Sequence, residues 1–344
     1  MVDGLDELKL KSFDLVGIYA QSGREDLVRY AERILMCCPE LHLRTVSERN
    51  TGNTVAFSVD HVRWCRVRLC PCCCWAKSGK LRARLFKVVP RIVDLYGYKF
   101  LLVTLTCKNC HQDNSRETID LLNNGWRTFT NRRTFPAIGY FKSLEVTMPY
   151  DIYYRGKFIK RMGEKVYQQW LYDNKNQLDF NQIDKRPTDE CNWHLHCLLV
   201  VPPSYFGRNY WNHETWVENW QESAKLSYRP VVEVHQVKSR MDKHQSLEDA
   251  ILEVSKYTSK PQDLVSSSDW TIALTDQIKG VKSFSVGGVF REFIRQADLD
   301  RLEDTGRFGD ESKQEGKLVC FTWNDDESIY DITRIGDKYY SFNN

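Results

Sequence analysis

The 344-residue sequence has no run of 18 or more apolar residues, which excludes a membrane-spanning helix. Its opening stretch, MVDGLDELKLKSFDL, lacks the basic-then-apolar profile of a secretory signal. The expectation is a soluble protein with no membrane partner that stays in the cytoplasm. Charge of one sign is also scarce. With 49 Lys and Arg against 46 Asp and Glu, the net charge is +3, which neither demands nor excludes a nucleic-acid partner, since basic clusters can be local. Internal repeats and low-complexity tracts are missing, so a solenoid is excluded. Disorder is excluded too, because 42% of residues are hydrophobic. What the chain does have is twelve cysteines, many of them bunched together. In a chain without a secretory signal, that bunching favours metal binding over a disulfide framework.

Hydrophobic periodicity predicts an amphipathic helix over 23–37, with Leu27, Ala31, Ile34 and Leu35 on one side. Alternating segments on either side of an NTGN turn predict two short strands. A basic helix follows the cysteines. The nearly apolar YKFLLVTLTC (98–107) reads as a strand inside a sheet. Residues 115–135 read as helix, 139–149 and NWHLHCLLVVP as strands, and 150–190 as a polar, tyrosine-rich insertion between them. A helix, HETWVENWQESAKLSY, a strand, RPVVEVHQVK, and a helix ended by Pro261 complete the α+β pattern. The expected division is an N-terminal helix and Cys-rich module (1–90), a sheet domain (91–265) and a C-terminal extension (266–344) of unassigned role.

Three constellations carry chemistry. In NWHLHCLLVV, His194 and His196 are two apart, so on a strand both imidazoles leave the same face. Glu145, alternating with Leu144 and Val146 in KSLEVTMP, is a third ligand if its strand lies alongside. Otherwise it is a carboxylate on an exposed face. A Glu/His/His set with open positions suits Mn²⁺ or Mg²⁺. In LEVSKYTSK, Glu253 and Tyr257 stack one turn apart, opposite the apolar side of Leu247, Ile251, Val254 and Thr258. A tyrosine there can attack a phosphodiester and keep the 5′ phosphate as an ester, while Glu253 activates water and Lys256 and Lys260 assist. The plainer reading is an aromatic packed on a neighbouring element.

The third constellation is CRVRLCPCC. Cys70 and Cys73 have C-x₂-C spacing, Cys65 adds a thiolate, and Cys37 or Cys38 closes a Cys₄ zinc site. Arg66 and Arg68, among other basic residues interleaved with Trp64 and Trp75, mark a nucleic-acid footprint beside it. Cys107 and Cys110 find no partner pair and read as packing residues.

Together LLVTLTCKN, WHLHCLLVVPPSYF and LEVSKYTSKPQDL resemble the three successive motifs of rolling-circle plasmid replication initiators, the HUH endonucleases of the Rep_1 class. The cysteine pattern starting from Cys37, C…C-x₄-C-P-x-C-x-W, and IKGVKSFSVGGVFREF are similar to further segments of that class. The resemblance spans roughly residues 35–295. It implies an HUH fold, a central antiparallel sheet with flanking helices, joined to an N-terminal zinc-bound module. It further implies His194 and His196 as the metal pair, Tyr257 as nucleophile, and Glu253 as the carboxylate that promotes hydrolysis at termination. Thr104 and Thr106 match the first motif, in a structural or DNA-contacting role. The implied activity is nicking of single-stranded or cruciform origin DNA in a prokaryotic cytoplasm, through a 5′-phosphotyrosyl intermediate and with host helicase and polymerase as partners. A non-catalytic zinc-dependent DNA-binding regulator and a relaxase or transposase of the same superfamily are the competing expectations.

Overall fold

A computed structural model of the chain describes residues 4–47, 54–207, 209–237, 246–256, 267–305 and 317–339. Near the N-terminus, helix α1 (Leu5–Gln21) buries Leu5, Ser12, Leu15 and Tyr19, a stripe at helical spacing that continues through Lys9. The stripe is interrupted by lysine and serine, so hydrophobic periodicity alone passes over this helix. Helix α2 (Glu25–Leu35) buries Leu27, Ala31 and Ile34 as expected. Leu35 does not join them; it lies a further 100° round from Ile34 and is 49% exposed.

Strands β1 (Glu40–Ser47) and β2 (Thr54–Val62) pair antiparallel. The chain end returns as β12 (Leu318–Asn324), β13 (Ile329–Ile335) and β14 (Lys338–Tyr339), giving a sheet of order β14-β13-β12-β1-β2. The tail thus supplies three of the five strands of the sheet to which β1 belongs, with Leu41 opposite Phe321. Tyr330 fastens it at two points: its hydroxyl donates to the Cys38 carbonyl at 2.5 Å and its N–H to Asp6 Oδ1 at 2.9 Å. Met1–Lys77 with Arg301–Asn344 form one compact unit and Ser78–Asp300 a second. Helix α3 (Pro71–Tyr96) contains the Lys77/Ser78 boundary, so residue 90, where the sequence suggested a division, falls inside a helix.

The second unit is built on an antiparallel sheet of order β10-β3-β9-β5-β11, formed by β3 (Lys99–Thr106), β5 (Gly139–Thr147), β9 (Glu190–Val201), β10 (Val232–Val237) and β11 (Phe284–Gly288). A short β4 (Cys110–His111) adds to the start of β9. β9 is central, and its last six residues are all buried. β11 belongs to this sheet rather than to a C-terminal extension. Its terminal glycine pair is required sterically: at Gly288, φ is +54° and a Cβ would meet the Ile138 carbonyl oxygen at 1.9 Å.

Helix α4 (Ser115–Thr130) covers one face, where Trp126 meets Tyr140 edge-on at 4.9 Å. On the opposite face Phe100, Phe141 and Phe290 make an apolar end, with Phe141 and Phe290 rings 6.2 Å apart. The polar end of that face is met by α7 (Leu247–Val254), which turns Ala250, Ile251 and Val254 inward. A capping box between Ser246 and Asp249 starts α7. The insertion between β5 and β9 forms its own antiparallel sheet, β7-β6-β8, from β6 (Pro149–Tyr154), β7 (Lys157–Gly163) and β8 (Ile183–Pro187), together with α5 (Glu164–Asp173). Two more helices, α6 (His213–Ser223) and α8 (Ser268–Gln277), complete the unit, and α9 (Gln296–Thr305) crosses its end. Among the described residues, no helix is long and apolar enough to cross a membrane.

Candidate metal-dependent active site

Strand alternation and register bring the polar groups together. Thr106, His194 and Glu145 lie opposite one another on β3, β9 and β5, and the next row on the same face is Thr104, His196 and Ser143. Two imidazoles on the central strand therefore meet the Glu145 carboxylate from the neighbouring strand. Glu145 Oε2 lies 3.0 Å from His196 Nε2 and 3.9 Å from His194 Nε2. The 3.0 Å approach is off the direction of a hydrogen bond, which leaves Oε2 buried without an aligned donor. Adjacent donors around an octahedral ion with bonds of ~2.1 Å would be ~3.0 Å apart, so this set fits a divalent ion. Burial raises the Glu145 carboxyl, but the His196 contact and the charges of the histidines and Lys256 outweigh it and hold it down at about 2. Burial, then the neighbouring His196, push His194 down to about 4, leaving it neutral and able to ligate near pH 7.

Each ring is oriented by a partner on its other nitrogen. His194 Nδ1 sits 3.1 Å from the Asn192 carbonyl oxygen, and His196 Nδ1 sits 3.1 Å from Thr104 Oγ1. A carbonyl only accepts, so His194 carries its proton on Nδ1 and presents a lone pair at Nε2. From α7, Glu253 Oε1 reaches to 3.3 Å from His196 Nε2, while its other oxygen pairs with Lys256. These groups share a cleft of about 670 Å³, which Glu233 and His235 of β10 and Asp249 of α7 also line. Sequence reasoning passed over those three. Glu233 and His235 alternate in VEVHQV with the same period-two signal as the histidine pair.

In the other unit, Cys37, Cys65, Cys70 and Cys73 bring their sulfurs together. Sγ separations are 3.7 Å for Cys37–Cys73, 3.5 Å for Cys65–Cys73 and 3.6 Å for Cys70–Cys37. A tetrahedron with Zn–S bonds of ~2.3 Å has edges of ~3.8 Å, so the spacing fits one zinc ion and is too long for disulfides. Hydrogen bonding with the neighbouring cysteines, Cys37 first, pulls the Cys70 thiol down. Cys72 turns away to Ser12 Oγ at 3.3 Å, and Cys74 to the Arg68 carbonyl at 3.2 Å. Cys38 also stays outside the four.

A family model for replication proteins, Rep_1, matches residues 56–331. The chain belongs to the Rep_1 family. It is similar to the Protein rep of Bacillus amyloliquefaciens, 26% identical over 293 residues that cover 79% of this chain and 74% of that relative. It is also similar to the Protein rep of Streptococcus pneumoniae serotype 2 (strain D39 / NCTC 7466), 26% identical over 341 residues covering 95% and 91%. The Protein rep of Lactiplantibacillus plantarum is 27% identical over 307 residues covering 83% and 84%. No solved structure matches the chain.

In this Rep_1 protein the expected ligands Glu145, His194 and His196 come together, and Glu253 and Lys256 line the same cleft. Tyr257 and Lys260 lie outside the described residues. Arg66 and Arg68 belong to the unit of the cysteine cluster; Arg66 is exposed and Arg68 half-buried. Lys77, counted in the same basic stretch, is buried and donates to the Glu303 carbonyl, so it is no part of a solvated basic face. Cys107 packs as expected, donating to the Trp193 carbonyl at 3.6 Å, whereas Cys110 lies directly across from Cys191 in the β4–β9 pair.

Proposed function

We propose that this Rep_1 protein initiates rolling-circle replication of a plasmid by nicking one strand at the origin, and that its sheet unit is an HUH endonuclease. The observation that carries the proposal is the convergence of Glu145, His194 and His196 on one sheet face, with Glu253 of α7 reaching the same imidazole. Those three residues would hold Mn²⁺ or Mg²⁺, whose chemistry is to polarise the scissile phosphate. Tyr257 follows Lys256 in sequence and is assigned as the nucleophile. Its phenolic oxygen attacks phosphorus, the bond to the 3′ oxygen breaks, and the 3′ oxygen takes a proton to become the hydroxyl that primes synthesis. The enzyme then holds the 5′ phosphate as a tyrosyl ester.

Release follows either by strand transfer, in which a 3′ hydroxyl displaces Tyr257, or by hydrolysis. In hydrolysis Glu253 takes a proton from the attacking water and the phenol leaves. Glu253 is paired with Lys256. Lys256 and Lys260 in the sheet unit, and Arg66 and Arg68 beside the cysteines, are assigned to DNA phosphates. A zinc ion at Cys37, Cys65, Cys70 and Cys73 would hold the other unit together. The DNA partner is single-stranded or cruciform origin DNA in a bacterial cytoplasm, with host helicase and polymerase following.

The test is a covalent-adduct assay with single-stranded origin DNA of the encoding replicon and Mn²⁺ or Mg²⁺. A denaturing gel reports the adduct and peptide mass spectrometry locates it. The expected adduct is at Tyr257, lost in Tyr257→Phe and in His194→Ala/His196→Ala. Tight DNA binding with no adduct in the wild type would show a non-catalytic DNA-binding regulator instead.

A further inference from the structure

The β6–β7 hairpin is not accounted for by folding. Residues 155–161 are exposed without interruption, on both faces of the strand. They include Phe158 at 56% and Ile159 at 44% exposure. Arg155 (φ 50°) and Gly156 (φ 74°) make the tight turn at its tip, both in the left-handed region that a two-residue hairpin turn of this hand requires. The segment RGKFIKRMG (155–163) holds four basic residues and no acidic one. One of the four is committed elsewhere: Arg161 pairs with Asp151 at 2.7 Å and with Glu190 at 2.6 Å, fixing the hairpin to the start of β9. Arg155 lies 5.1 Å over the Tyr154 ring, and Lys157 and Lys160 have no ion-pair partner among the described residues. Phe158 stacks edge-on against Tyr153 at 5.6 Å, and Arg186 covers that ring at 4.3 Å.

Lysine on an edge strand also discourages strand-to-strand aggregation. That role does not explain Phe158 and Ile159, which would promote aggregation. Cations beside exposed rings are complementary to a polyanion with flat faces. Location adds to the case. β6 starts four residues after Glu145 and β8 ends seven residues before His194, so the two connections run ~13 Å and ~23 Å of extended chain between these residues and the hairpin sheet.

We propose that the β6–β7 hairpin is a single-strand binding arm. Lys157 and Lys160 contact phosphates and Phe158 stacks on a base of the strand that adjoins the scissile phosphodiester. The proposal deepens the reading of the protein as an origin nickase and rests on it.

The test measures binding of the full-length protein by fluorescence anisotropy across a salt series. The probes are a labelled single strand spanning the nick site, an oligothymidylate of equal length, and the duplex. Lys157→Gln/Lys160→Gln is expected to flatten the slope of log K against log salt on both single strands by ~1.4, at ~0.7 per phosphate contact. Phe158→Ala is expected to weaken single-strand binding by roughly 5- to 150-fold, and Phe158→Trp to retain it. Mn²⁺ binding at Glu145, His194 and His196 stays unchanged in all three variants, which separates loss of the arm from loss of the fold. Variants that bind single strands with wild-type affinity and slope would overturn the proposal. A loss confined to the duplex would overturn the single-strand assignment. A wild-type protein that binds Mn²⁺ but no origin DNA would remove the nickase reading itself, and the arm with it.

Discussion

Replacing Thr104 with valine isolates the role of one hydroxyl. His196 is 7% exposed and its two ring nitrogens face different partners. Nε2 lies 3.0 Å from Glu145 and 3.3 Å from Glu253, and Nδ1 lies 3.1 Å from Thr104 Oγ1. Carboxylates only accept, so without an ion Nε2 carries hydrogen, and the Nδ1 of a neutral ring accepts from the threonine hydroxyl. To ligate an ion, Nε2 must offer a lone pair. The ring hydrogen then sits on Nδ1 and the same threonine oxygen must accept it. A hydroxyl serves both tautomers and valine serves neither. Burying an unsatisfied donor costs ~1–3 kcal/mol, and part of that is offset because the ion-free state also loses its partner. An orphaned N–H is costlier than an orphaned acceptor, so the balance falls on the ion-bound state, and Mn²⁺ affinity should drop about tenfold. Titration of free Mn²⁺ by electron paramagnetic resonance measures it, and Thr104→Ser should restore wild-type affinity. With ¹⁵N-histidine and Mg²⁺, the His196 ring should move its hydrogen from Nε2 to Nδ1 on saturation, while His194 keeps Nδ1–H throughout. Thr104→Val binding Mn²⁺ as tightly as the wild type, or a His196 tautomer unchanged by Mg²⁺, would refute this reasoning.

If the four cysteines hold the proposed zinc, Cys73→Ser should lose it and Cys72→Ser should retain it, as read by metal analysis of purified protein, because of these two sulfurs only that of Cys73 joins the four. Chelation should unfold the unit of the cysteine cluster, since a structural zinc contributes on the order of 10–16 kcal/mol. Lys142 is buried on the α4 side of the sheet, its Nζ 2.6 Å from Asn123 Oδ1, and burial pushes it from 10.5 down to about 8. Between those values the unfolded chain holds a proton that the folded chain has released, so stability should rise with pH across that window. Lys142→Met should therefore stabilise the protein near pH 7 by about 2 kcal/mol, after subtracting the lost hydrogen bond, with the advantage fading above the window in denaturant titrations. The Cys110 thiol, half-buried, is pulled down to about 6 by the hydrogen bond from Cys191 despite the opposing effect of burial. Iodoacetamide should label Cys110 ahead of the other cysteines, with a rate that climbs through pH 6, as followed by peptide mass spectrometry.

The sequence alone determined the local features that depend on period and residue chemistry. Alternation placed His194 and His196 on one face, whatever the strand's neighbours. Helical spacing put Glu253 on the side of α7 away from Ile251 and Val254. C-x₂-C spacing selected Cys70 and Cys73. Tertiary structure decided what each of these meets, because register and strand order are set by contacts between distant segments. Glu145 meets the paired imidazoles only because β5 lies beside β9 with Glu145 opposite His194. Thr104 meets His196 because β3 flanks β9 on the other side. The choice of Cys37 over Cys38 was likewise three-dimensional, since adjacent residues point apart and only one sulfur faces the cluster. In sequence the tail closes in short aromatic strands, but its place in the sheet of β1 is not legible there, because no local pattern encodes a partner more than 250 residues away.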